Sequence, residues 1–124
     1  MSNIKPINLA KKFSMFEKVW TPYIIGELNG QYVKICKLKD EFIWHSHENE
    51  DELFMVIKGT LFIDFRDAET AEINEGEIII VPKGVEHRPR TNGDTVYNLL
   101  FEPKATLHTG EIQSDLTVND QLFL

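Results

Sequence analysis

The stretch His45-Ser46-His47-Glu48-Asn49-Glu50-Asp51-Glu52 decides the fold, read together with one distant histidine, His87. In an extended chain, residues two apart point to the same side, so His45 and His47 can aim at one point. Glu52 opens the apolar run 52–57 and reaches the same point across a short turn. His87 lies far along the chain and has to arrive from another strand, which requires a sheet that closes or folds over on itself. Three imidazoles and one carboxylate are a donor set for a divalent transition metal. The reading is a metal-binding barrel.

Working outward, His45-x-His47 is followed by four residues, Glu52, six residues and Gly59. Further on, Gly76 is followed by five residues, Pro82-Lys83-Gly84, two residues and His87. These two patterns resemble the paired motifs of the cupin superfamily over about residues 39–92. Two positions depart from the family pattern. Lys39 stands where the first motif usually opens with Gly, and Thr91 stands where the second ends in Asn. Neither is one of the four proposed ligands, so the departures bear on local turns. The resemblance implies an all-β jelly-roll barrel (a double-stranded β-helix) and a metal held by His45, His47, Glu52 and His87. It also implies a grouping with small mannose-6-phosphate-isomerase-like cupins, and a homodimer.

The rest of the chain agrees with an all-β reading. Tyr32–Lys39 and Glu41–His47 read as strands with a bend at Asp40. The runs 52–58 and 60–66 flank Gly59 and read as a tight hairpin. Residues 70–73 form a short strand, 77–81 a buried β-branched strand, and 95–102 the last long strand. Turns fall at Pro82-Lys83-Gly84 and Asn92-Gly93-Asp94. A short helical turn is expected around Asn8–Phe13. The apolar patch of Trp20, Tyr23, Ile24 and Ile25 either caps the barrel or meets a second subunit. With 124 residues the chain reads as one domain, with a motif-bearing core about 31–103.

Bulk properties exclude several functions. A net charge of −7 gives no basic surface for nucleic acid. No run approaches the length of a membrane helix, and the N-terminus has no apolar signal core, so a cytoplasmic protein is expected. Cys36 is the only cysteine, which excludes an intrachain disulfide and reads as a small buried thiol. No Ser-His-Asp or Cys-His set and no phosphate-cradling Gly loop is legible.

For the site, the donors suit Fe, Mn, Ni, Co, Cu or Zn, with coordination positions left open for a small molecule. Phe54, Arg88, Arg90 and Tyr97 are candidate substrate contacts. Val56, Phe62 and Phe101 read as barrel wall. Among Glu48, Glu50 and Asp51, one is a candidate to orient a histidine through its second ring nitrogen. His108, in the tail 104–124, is a remote candidate for the pocket. Three readings stand: a sugar-phosphate isomerase-like enzyme with Lys83, Arg88 or Arg90 on the phosphate, a metal-dependent dioxygenase with an apolar pocket, and a non-enzymatic binding or sensor module.

Overall fold

The computed structural model describes residues 4–104 and 122–124. Its elements are α1 (Leu9–Phe13), β1 (Tyr23–Leu28), β2 (Gln31–Leu38), β3 (Glu52–Lys58), β4 (Leu61–Phe65), β5 (Ala71–Ile73), β6 (Ile78–Val81), β7 (His87–Arg90), β8 (Val96–Pro103) and β9 (Leu122–Phe123). A six-stranded sheet runs β6-β3-β8-β2-β1-β9, and a three-stranded sheet runs β5-β4-β7. The architecture is the all-β jelly roll. His108 falls outside the described residues.

The larger sheet is apolar on both faces because both faces are covered. Inward, Cys36, Leu38, Phe54, Val56, Val96 and Leu100 pack with Leu61, Ile63 and Ile73 of the smaller sheet. Outward, Ile35 and Leu99 pack under Phe13 and Phe16 of the N-terminal segment, with Tyr97, Met55 and Val33 around them. That segment starts at the short helix, where the Asn8 side chain accepts from the Lys11 backbone N–H at 2.9 Å, an N-cap contact. A polar face is therefore missing from β8, where the sequence Val96-Tyr97-Asn98-Leu99-Leu100-Phe101 serves two cores at once.

Three expectations require correction. The runs on either side of Gly59 do not pair with one another: β3 bonds to β6 and β8, while β4 bonds to β5 and β7. Gly59, at φ +91°, turns the chain from one sheet into the other. Residues 41–47 are extended but form no continuous strand. They bridge to β7 at Glu41↔Arg90 and His45↔His87, and between these residues 42–44 oppose 88–89, an irregular bulge-like pairing. Pro89, which has no N–H to give, sits in this gap and accepts from Phe42 N–H at 2.9 Å. Finally, β6 is an edge strand buried on one side only: Ile79 and Val81 pack on the core while Ile78 and Ile80 are exposed.

The patch at residues 20–25 divides: Trp20 packs in the inner core, while Tyr23 and Ile25 join the outer cluster around Phe13 and Phe16. Trp20 is buried and stacks on Phe42 with ring centroids 4.5 Å apart, and its indole N–H donates to Lys39 O at 2.8 Å. Tyr23–Leu28 is a full strand against β2, which the sequence reading missed. One motif departure, Thr91, holds the turn next to the other, Lys39. Asp40 takes φ +64°, and Thr91 clamps it: Thr91 Oγ1 accepts from Asp40 N–H at 2.9 Å, and Thr91 N–H donates to Asp40 O at 3.0 Å.

Candidate metal centre

The four predicted ligands converge. His45, His47, Glu52 and His87 are all buried, and each offers a donor atom lying within 4.8 Å of the others. Glu52 begins β3 and His87 begins β7, so one ligand comes from each sheet. His45 and His47 come from the irregular segment between the sheets, which is fastened to β7 at His45.

Each imidazole is oriented from behind. His45 Nδ1 donates to Ile43 O at 3.0 Å and His87 Nδ1 donates to Val85 O at 2.9 Å. His47 Nδ1 lies 3.1 Å from Glu50 Oε1, so Glu50 fills the orienting role foreseen for one of the three acidic loop residues. With Nδ1 donating, each Nε2 presents its lone pair to the interior. His87 Nε2 then stands 3.1 Å from Glu52 Oε1, and His47 Nε2 stands 3.3 Å from Glu52 Oε2. A lone pair facing a carboxylate oxygen is repulsive unless a proton or a cation lies between them. His45 Nε2 is buried with no hydrogen-bond partner among the described residues. An orphaned inward Nε2 and two opposed acceptor pairs fit a divalent cation at the centre of the four. This cluster can therefore hold a metal ion.

The protonation preferences are those of a compact charge cluster. With no cation between them, protons on the facing ring nitrogens take its place: burial pushes Glu52 up, but hydrogen bonding from His47 and His87 outweighs it and brings the carboxyl down to about 2. Burial pulls His47 down, yet the Glu52 carboxylate beside it prevails and raises it to about 9. His45 is lowered to about 4, by burial first and then by the neighbouring His87. Behind this cluster lies a buried ion pair the sequence reading missed, Lys34 Nζ to Glu102 Oε1 at 3.3 Å. The contact has the distance of a salt bridge without hydrogen-bond alignment, and both Glu102 oxygens lack a hydrogen-bond partner among the described residues. Burial, then the charge of Glu52, lifts Glu102 to about 7.

A narrow cavity, about 30 Å³ in its enclosed part and open at its mouth, leads to the centre. Its walls are Trp20, Leu38, Phe42, Phe54 and Leu100, and its polar lining includes His45, Glu52 and Asn98. Phe54 lies in the cavity wall, edge-on to His87 at 6.2 Å. Cys36 also lines it, with burial holding its thiol well above the usual range and so inert.

The other substrate candidates face elsewhere. Tyr97 points outward, stacked on Phe13 at 4.5 Å. Arg88 and Arg90 alternate with His87 and Pro89 along β7, so they project from the opposite face. There Asp64 Oδ2 accepts from Arg88 at 2.9 Å and from Arg90 at 2.9 Å, while Asp64 Oδ1 accepts from Thr70 at 2.7 Å. Trp44 and Phe62 lie under these guanidiniums. The three basic residues offered for a phosphate do not line the cavity, since Lys83 is also outside it. Asn98 and Glu102 were passed over because 95–102 reads as one apolar strand. The available signal was the period of two, which puts Asn98 and Glu102 on the same face as Val96 and Leu100.

Comparison with known proteins agrees with this geometry. The cupin domain family matches residues 35–101. A curated relative, the uncharacterized protein YdbB of Bacillus subtilis (strain 168), is 42% identical over 82 residues, 66% of this chain and 72% of the relative. The crystal structure of a cupin-2 domain containing protein from Shewanella frigidimarina superposes with a TM-score of 0.76 at 41% identity, covering 79% of this chain and 94% of that one. Protein NMB1881 from Neisseria meningitidis superposes with a TM-score of 0.72 at 32% identity, covering 81% and 100%. With its jelly roll, its paired motifs and more than half its length matched, the chain belongs to the cupin family.

Proposed function

We propose that His45, His47, Glu52 and His87 hold one divalent transition metal, and that the protein binds a small, mostly apolar molecule beside it. The observation carrying this reading is the cavity, whose walls are aromatic and aliphatic up to His45 and Glu52. Small-molecule sites have this composition, with a few polar groups that fix orientation. A bound metal supplies a Lewis acid at the cavity's inner end and, if it is redox-active, a centre for oxygen chemistry. The chain's own residues do the rest. Glu50, Ile43 O and Val85 O hold the imidazoles in one tautomer, and Trp20, Phe42 and Phe54 exclude water.

Of the enzymatic readings, the oxygen-dependent one is favoured over sugar-phosphate isomerisation. A sugar phosphate needs cations and hydroxyl partners along the cavity wall, and Arg88 and Arg90 are engaged by Asp64 on the far face. The test is cobalt(II)-loaded protein titrated with phenol and, separately, with mannose 6-phosphate. Phenol is expected to shift the cobalt visible bands and quench Trp20, while mannose 6-phosphate leaves both unchanged. The reverse pattern overturns the reading. Self-association is proposed through the free edge of β6, where Ile78 and Ile80 are exposed, and a monomer by light scattering overturns it.

A further inference from the structure

Asn98 is wholly buried, and neither its amide oxygen nor its amide nitrogen has a hydrogen-bond partner among the described residues. It sits mid-strand in β8, opposite Cys36 on one side and Val56 on the other, and its side chain lines the cavity. Leaving a primary amide buried and unpaired costs about 1–3 kcal/mol, and a leucine of similar shape would avoid that cost. Packing therefore gives no account of an asparagine here. The cavity beside it is walled by Leu38, Phe54 and Leu100, with Cys36, His45 and Glu52 as its other lining, and no described residue pairs with the amide.

We propose that Asn98 is the recognition residue of the cavity, taking a ligand that presents an amide edge, with a donor and an acceptor side by side. The inference rests on the proposed small-molecule cavity and names its chemistry. An asparagine amide has a carbonyl that accepts and an NH₂ that donates in one plane. A carboxylate would meet the NH₂ but turn a second oxygen toward Oδ1. An ether or ketone would satisfy only the nitrogen. A carboxamide, lactam or similar edge satisfies both atoms and brings no net charge into a wall that already holds Glu52. The enclosed part of the cavity is only about 30 Å³, so the amide edge enters it while the rest of the ligand stays toward the open mouth.

The experiment compares benzamide with toluene, its apolar counterpart, on cobalt(II)-loaded protein, following Trp20 fluorescence and the cobalt bands. Wild type is expected to bind benzamide at least roughly tenfold more tightly, the worth of one good buried pair. Asn98→Leu is expected to bind both probes alike, and to melt at a higher temperature than wild type when both are ligand-free. Equal affinity for the two probes in wild type, or an undiminished preference in Asn98→Leu, overturns the role of Asn98 while leaving the apolar cavity intact. A lower melting temperature for Asn98→Leu likewise overturns it, by revealing a structural partner such as a fixed water. Failure of the loaded wild type to bind either probe overturns the cavity reading itself, and this inference with it.

Discussion

His45 and His87 exchange a reciprocal pair of backbone hydrogen bonds, His45 N–H to His87 O at 3.0 Å and His87 N–H to His45 O at 2.9 Å. Two candidate ligands separated by more than forty residues are thus paired through their main chains, with their rings 4.4 Å apart. Their separation is set by the bridge and does not depend on an ion. His87→Ala should keep the bridge and the fold, since the variant loses a side chain and no main-chain bond. Circular dichroism should be unchanged and metal-free stability should fall by about 1–3 kcal/mol, the usual range for one buried truncation. Unfolding of the variant would show that the ring itself holds the two sheets together.

Asp64 is the hub of the outer face of the smaller sheet. It accepts from Arg88, Arg90 and Thr70, and although burial alone would raise it, these partners hold its carboxyl down to about 2. Asp64→Ala leaves two guanidiniums without their shared partner, so a loss of about 1–3 kcal/mol is expected by urea denaturation, discounted because both arginines are partly exposed. Metal content should not change, because this face is turned away from the centre. A loss of metal with stability retained would contradict the two-face account of β7.

Glu102 should impose a measurable pH slope. Its folded value is raised from 4.5 to about 7, so the folded state holds its proton where the unfolded chain has released it. The stability this contributes is present in full below pH 4.5 and is lost as pH rises through about 7. Compared with wild type, Glu102→Gln should gain relative stability across that window, on the order of 3 kcal/mol at most. Parallel stability curves for the two proteins between pH 4 and pH 8 would show that Lys34 fully neutralises the carboxylate.

Gly59→Ala probes the passage between the sheets. A Cβ there would lie 3.1 Å from Val96 Cγ2 and 3.3 Å from Thr95 O, at a φ of +91°. Backbone strain of this kind costs about 1–3 kcal/mol, and the contacts with β8 add to it. A drop in melting temperature is expected; an unchanged one would mean that the corner relaxes without cost.

The cluster of His45, His47, Glu52 and His87 was legible because ligand chemistry restricts residue type and the motif spacing restricts position. Which sheet each strand joins was not legible. The runs flanking Gly59 look like a hairpin locally, and only long-range pairing with β6, β8, β5 and β7 separates them. Arg88 and Arg90 looked available to a phosphate because their partner, Asp64, lies more than twenty residues away. A strand alternation starting from the inward His87 would have turned them outward. Asn98 went unnoticed for the opposite reason, since in a strand buried on both faces a polar residue is hidden among apolar neighbours.

The central claim is that one divalent metal sits among His45, His47, Glu52 and His87. The most direct test is elemental analysis of protein purified without a metal-affinity tag, wild type beside His45→Ala, whose lost Nε2 has no other partner among the described residues. The account predicts close to one transition metal per wild-type chain and a sharp loss in the variant. Equal metal in both proteins, or none in wild type after incubation with iron(II), manganese(II), nickel(II), cobalt(II), copper(II) and zinc(II) in turn, would contradict it.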